Sequence, residues 1–286
     1  MRLLFLFSLV LLATGCTDDN YGEAMSREHA GESPVATPIA AAIADDVITG
    51  RPVYASVGGE SVTGFLARPD TNKTTEAEEP LPGLIVIQEW WGLNDNIQTM
   101  AKRFADEGYV ALAVDLYGGE IAEDAGDARR LMSAAMEREA MLTDNLRQAY
   151  DYLVTQEGVG EVGVIGWCFG GAWSLRTALA MPDDIGATVI YYGRLITDRD
   201  RLAALDMPIL GIFGAEDQGI PVESVREFET VLADLGKDAQ IEVYEGAGHA
   251  FANPSGERYD AEAAEDAWAR TLAFFDEHLR SGQRGE

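Results

Sequence analysis

Apolar runs and amphipathic stretches alternate along most of the chain, and their periods predict the elements. Gly83 to Gln88 is a short continuous apolar run, the pattern of a strand buried on both faces. Asn94 then precedes Ile97, Met100, Ala101 and Phe104, whose i, i+3, i+4, i+7 spacing predicts a helix capped by the Asn94 side chain. Tyr109 to Val114 reads as the next strand, Asp124 to Gln156 as a long helical region, and Val162 to Ile165 as a short strand leading into a helix from Gly170 to Ala180. Ala187 to Tyr191, Ile209 to Phe213 and Ile241 to Tyr244 are further strands. Val222, Val225, Phe228, Leu232 and Leu235 share one face of the helix between the last two, and Trp268, Leu272, Phe275 and Leu279 one face of a final helix. Upstream, Pro52 to Val57 and Ser61 to Arg68 flank Gly58-Gly59 and predict a hairpin, while Asp70 to Pro82 is polar and aperiodic, as an exposed loop should be. The whole predicts an α/β fold: a mainly parallel, doubly wound sheet with helices on both faces and an N-terminal hairpin. In such a sheet functional groups gather on loops at the carboxyl ends of the strands.

The first residues follow other rules. Arg2 and the apolar run Leu3 to Ala13 have the form of an export signal, too short for the roughly 20 residues of a membrane span. Leu12-Ala13-Thr14-Gly15-Cys16 resembles a bacterial lipobox, which implies removal of residues 1–15 and a lipid on Cys16. From Thr17 to about Asp45 the chain is rich in Asp, Glu, Ala, Ser and Pro without sustained period, and reads as a flexible tether. His29 lies in that tether and is expected to carry no function. The organisation expected is therefore a signal peptide (1–15), a lipidated cysteine with an acidic tether (16–46), a folded domain (47–280) and a short tail (281–286), exported and lipid-anchored at the cell envelope.

Charge narrows the choice of partners. Acidic residues outnumber basic ones 49 to 21, for a formal net charge of −28. Phosphate backbones are bound through Lys and Arg, so a nucleic-acid role is excluded. Anionic membrane surfaces should repel the body too, leaving the lipid anchor as its one contact with the membrane. With Cys16 acylated, the second cysteine, Cys168, has no disulfide partner.

Cys168 sits where chemistry is expected. Val162 to Ile165 runs into Gly166-Trp167-Cys168-Phe169-Gly170-Gly171, which has the form of the G-x-S-x-G nucleophile elbow with Cys in place of Ser. The turn places the sulfur at a helix N-terminus, whose dipole and free N–H groups favour a thiolate. A thiol nucleophile needs a base. His29 is in the tether and His278 in the last turns of the final helix, so His249, just past the last strand, is the base by elimination and by position. The order nucleophile, acid, histidine then places the carboxylate after Ile209 to Phe213, where Asp217 is preferred to its neighbour Glu216. Asp115 precedes the nucleophile and reads as a loop or cap residue. Glu89, beside Trp90 and Trp91 at the end of a central strand, reads either as a solvated acid or as a group that faces the thiol and holds it protonated until substrate arrives.

Taken together, Gln88-Glu89-Trp90-Trp91-Gly92, Asp115-Leu116-Tyr117, the Cys168 elbow, Tyr191-Tyr192-Gly193, Asp217 with Pro221, and Gly248-His249-Ala250-Phe251 resemble the dienelactone hydrolase family over nearly the whole body. The resemblance implies an α/β-hydrolase fold, a Cys168–His249–Asp217 triad, Glu89 as modulator of the thiol, and an oxyanion hole from the backbone N–H groups of Trp90 and Phe169. It implies no metal and no organic cofactor. Family members that act on dienelactone hold its carboxylate with two arginines; this chain has Gly119 and Asn253 at those places. Arg194, after Tyr191-Tyr192-Gly193, reads either as a relocated anchor or as a surface arginine. Trp91, Tyr117, Tyr191, Arg194 and Asn253 are the expected pocket residues. The reading is a cysteine hydrolase of small-molecule esters or lactones, acting through an acyl-thioester and not on dienelactone itself. A ligand-binding or scaffold lipoprotein on the same fold is the alternative.

Overall fold

In the computed structural model the described residues are 18–33, 46–70 and 80–280. The export signal and Cys16 lie outside them. Eight strands form one sheet in the order β1-β4-β6-β5-β7-β8-β9-β10. β1 (Val47–Gly50) and β4 (Phe65–Pro69) make its antiparallel edge. The others, β5 (Gly83–Ile87), β6 (Val110–Ala113), β7 (Val162–Trp167), β8 (Ile185–Tyr191), β9 (Ile209–Gly214) and β10 (Ala239–Tyr244), run parallel. β5, β6, β7 and β9 are buried at every residue, which is why they read as unbroken apolar runs. The α/β-hydrolase fold expected from the sequence is the fold observed.

The direction of winding reverses at β5, since β6 lies on one side of it and β7 on the other. Open α/β sheets bind ligands at such a switch point. Ile87 pairs with Gly166, so continuing that register two residues brings Glu89 and Cys168 side by side in the crevice.

The helices follow their apolar stripes. Asn94 caps α2 (Asp95–Asp106) by accepting from the Ile97 N–H at 3.3 Å, and Ile97, Met100, Ala101 and Phe104 are buried as their spacing requires. α5 (Phe169–Ala180) starts directly after Cys168. α6 (Arg199–Leu202), α7 (Val222–Asp234) and α8 (Ala261–Leu279) complete the cover. None of the helices among the described residues is long and apolar enough to cross a membrane.

Three expectations are corrected. The long helix from Asp124 to Gln156 is two, α3 (Ala125–Met136) and α4 (Glu139–Tyr152), with a final wide π turn over Leu153–Glu157 that stops at Gly158 with φ 67°. Neither Gly nor Pro marks the break at Arg138; the two halves have different partners, the N-terminal helix for α3 and the hairpin for α4. The run from Ser61 to Arg68 is likewise divided: β3 (Glu60–Thr63) pairs with β2 (Val53–Val57) in a separate hairpin, and β4 joins the main sheet. The expected flexible tether contains α1 (Asp18–Glu28), which packs on α3 and buries Met25 completely. Among the side chains described there, one large apolar group, Met25, and a set of polar contacts dock this segment, a pattern with no periodic signature.

Candidate active site

The carboxyl ends of β5, β7, β8, β9 and β10 lie along one edge of the sheet, and each delivers a residue to one place. Between β7 and α5 the chain turns so tightly that Cys168 takes φ 55° and ψ −114°, a strained conformation for a residue with a Cβ. The glycines around it are required by contact. A Cβ on Gly166 would lie 2.4 Å from the Gly170 carbonyl, and one on Gly170 would lie 2.4 Å from the Ile87 carbonyl oxygen. The elbow read from the sequence is therefore present, with the cysteine at its apex.

His249 and Asp217 meet from the loops after β10 and β9. His249 Nδ1 and Asp217 Oδ2 are 2.8 Å apart, both side chains fully enclosed. A carboxylate can only accept, so Nδ1 carries the proton and Nε2 faces the thiol. Nε2 is buried and makes no hydrogen bond of ordinary geometry, so its influence on the sulfur is mainly that of a nearby charge. The other Asp217 oxygen accepts from the N–H groups of Gly219 and Ile220, both at 2.8 Å, which fixes the carboxylate plane. Glu216, the neighbouring candidate, is exposed.

The electrostatics favour a thiolate–imidazolium pair. Burial alone would raise the Cys168 thiol, but the His249 charge beside it, with that of His29, lowers it to about 6. Burial likewise opposes charging His249, and the Asp217 carboxylate and Cys168 sulfur outweigh it, holding the imidazole well above its ordinary range.

Glu89 is buried in the same crevice, and burial followed by the Cys168 charge raises it to about 7. Its hydrogen bonds, however, go elsewhere: Asn253 Nδ2 donates to Oε2 at 2.6 Å and Asn96 Nδ2 at 3.5 Å. Glu89 and Cys168 thus interact through charge. Electrostatic coupling is reciprocal, so a carboxylate raised by the sulfur must raise the thiol in turn. Glu89→Gln keeps an acceptor for Asn253 and removes the charge. Alkylation falls as pH drops below the thiol's range, because only the thiolate reacts. The acid limb of the alkylation rate, near pH 6 in the wild type, is expected to move to lower pH in the variant. A limb that stays in place, or moves up, would show that Glu89 does not act on the sulfur.

The expected pocket residues divide. Trp91 is buried edge-on to Trp90, with centroids 5.1 Å apart. Tyr117 packs on Phe169 at 5.4 Å and keeps its buried hydroxyl without a partner. Arg194 lines a cavity of about 290 Å³ with Phe169, Arg129 and Arg176. Asn253 is committed to Glu89. Tyr191 spends its hydroxyl on Thr271 of α8, at 2.8 Å. Its neighbour Tyr192, at a positive φ of 34°, is the tyrosine against His249, with centroids 5.1 Å apart and a buried hydroxyl that has no partner. Asp115 is the loop cap expected, accepting from the backbone N–H groups of Tyr117 and Gly119.

Sequence reasoning missed His29. It is buried, its ring lies 4.6 Å from that of Trp90 and 5.6 Å from that of His249, and its charge is coupled to the Cys168 side chain. No local signal could have found it, because the segment that carries it has no apolar period. Among the described residues, Glu28, Asp217 and His249 are the group whose ligand atoms lie close enough (within 4.8 Å) to hold a cation. A cation there would compete with the Asp217–His249 bond.

A mostly parallel sheet of eight strands, an elbow at the end of a central strand and a His–Asp pair on neighbouring strand ends define an α/β-hydrolase. The sequence pattern of the dienelactone hydrolase family matches residues 62–279, and the chain belongs to that family of hydrolases. It is 35% identical over 237 residues to Protein usf of Aquifex pyrophilus, covering 80% of this chain and 99% of that one. It is 31% identical over 262 residues to a provisionally named carboxymethylenebutenolidase of Saccharolobus solfataricus, covering 78% and 97%. A crystal structure of a dienelactone hydrolase-like promiscuous phosphotriesterase from metagenomic libraries superimposes with a TM-score of 0.73 at 27% identity, covering 82% of this chain and 99% of that one.

Proposed function

We propose that the protein hydrolyses carboxylic esters or lactones with Cys168 as nucleophile. The observation that carries this reading is the strained elbow cysteine at φ 55° beside a buried His249–Asp217 pair 2.8 Å apart. The Cys168 thiolate attacks the carbonyl carbon, and the carbonyl oxygen takes up the electron pair. Backbone N–H groups of Trp90 and Phe169 stabilise that oxyanion, each donor being worth ~2.7–4 kcal/mol in comparable sites. His249, protonated at Nε2, gives its proton to the leaving oxygen as the C–O bond breaks, which leaves an acyl-thioester. Neutral His249 then takes a proton from water, the hydroxide adds to the thioester, and collapse releases the acid and the thiolate.

Dienelactone itself is outside this reading. Gly119 offers no side chain at one anchor position, and Asn253 at the other is held by Glu89. Replacing a charge-assisted carboxylate contact by none weakens binding by about 1.5–3 kcal/mol. The same proposal places the mature chain at the cell envelope through a lipid on Cys16, supported by the lipobox-like sequence at residues 12–16.

The test is alkylation beside turnover. Iodoacetamide is expected to label Cys168 alone, and hydrolysis of p-nitrophenyl acetate is expected to fall in proportion to the fraction labelled. Full turnover by completely alkylated protein would exclude the thiol mechanism, and absence of any ester turnover would favour a binding lipoprotein.

A further inference from the structure

Cys168 is only 1% exposed, although a nucleophile must meet a carbonyl carbon at about 3–3.5 Å. The segment from α1 to Ser33 lies over this site, with His29 against Trp90 and His249. The His29 ring lies against the indole of Trp90, the residue whose N–H is to face the oxyanion, with centroids 4.6 Å apart and planes tilted by 40°. It lies 5.6 Å from the His249 ring, so its imidazole stands beside the sulfur and is coupled to it electrostatically. An acyl carbonyl has to occupy that space.

The fastening of the segment has two parts. Met25 is fully buried against the loop that carries Asp217: a Cβ on Gly219 would come within 1.8 Å of its Cε, so this glycine makes room for it. Around it the contacts are polar. A Glu28 carboxylate oxygen accepts from the Gln218 N–H at 2.9 Å. Arg258 donates to the His249 carbonyl at 2.9 Å and to the Glu28 carbonyl, and its guanidinium lies 3.3 Å from Glu32. Glu32 in turn accepts from His29 Nδ1 at 2.6 Å. Among the described residues, the backbone–backbone hydrogen bonds of 18–33 are all internal to the segment. It can leave as a unit without breaking a sheet ladder, and local openings of low cost are drawn from such weakly tied elements.

We propose that residues 18–33 form a lid over the catalytic thiol, with His29 occupying the place of the substrate carbonyl, so that the structure is a closed resting state and turnover requires the lid to withdraw. This rests on Cys168 being the nucleophile. In the closed state His29 shields the sulfur; in the open state the oxyanion donors, the two unpartnered tyrosine hydroxyls and His249 face the substrate. The lid lies within the stretch expected to be a tether, which places the control of access between the proposed lipid anchor and the body.

The full-length chain tests this with two variants. Met25→Ala combined with Glu32→Gln loosens the docking and keeps the imidazole; His29→Ala removes the group that covers the sulfur. The readouts are the rate of Cys168 alkylation by iodoacetamide, located by peptide mass mapping, and kcat/KM for p-nitrophenyl acetate. Observed reactivity scales with the open fraction, so the double variant is expected to alkylate about tenfold faster or more, and kcat/KM is expected to rise in both variants. Alkylation of the double variant at or below the wild-type rate would overturn the lid. So would loss of ester turnover in His29→Ala, which would make His29 a working part of catalysis. Faster alkylation in a protein that hydrolyses no ester would leave the lid standing and remove the hydrolase reading; wild-type turnover blocked by alkylation, with no acceleration in the double variant, would do the reverse.

Discussion

Cys168→Ala is expected to lower kcat/KM for activated esters by at least about 10³-fold, the scale on which removal of a nucleophile is felt when only the oxyanion hole and binding remain. The fold is expected to survive. Alanine keeps the Cβ, so the backbone at φ 55° is strained to the same degree, and Gly166, Gly170 and the strand register are untouched. The sulfur leaves a small cavity, for which large-to-small losses suggest about 1 kcal/mol or less, partly offset because a buried charged pair no longer has to be desolvated. Thermal unfolding and ester turnover of the same preparation check both halves. Residual turnover above a few per cent would mean that His249 activates water directly and that the thiol is not on the path.

Asp217→Asn is expected to cost on the order of 10⁴-fold in kcat while leaving the site in place, as in triads whose acid is replaced by its amide. The reason is specific to this loop. Gly219 and Ile220 both donate to one carboxylate oxygen at 2.8 Å, so the amide oxygen of an asparagine has to stay there as acceptor. Its NH₂ group is then forced toward His249 Nδ1, which must become an acceptor. The ring proton moves to Nε2, and the base that should take a proton already holds one. Glu216→Ala is the companion measurement, expected to change little, because Glu216 is exposed. A small effect in Asp217→Asn would place the orienting acid elsewhere.

The sequence alone determined the fold class, the order of the strands in the chain, and three candidate residues, Cys168, Asp217 and His249, that the structure brings together. All of these rest on local rules. Burial on both faces leaves an unbroken apolar run, and a turn as tight as the one at Cys168 admits only glycine at Gly166 and Gly170. The strand ends then locate the acid and the base. The tertiary structure alone decided what lies against the sulfur. Tyr192 takes the place expected for Tyr191 because a left-handed residue after β8 re-aims the chain by one position. Asn253 and Glu89 meet from 164 residues apart, and Arg258 reaches His29 across 229, contacts that leave no period or spacing to read. His29 sits in a stretch whose composition is that of a tether, where, among the side chains described, a buried methionine and a few charge-assisted bonds supply the docking. Local patterning encodes elements and turns; which polar side chains meet at the end of the sheet is set by packing between distant segments.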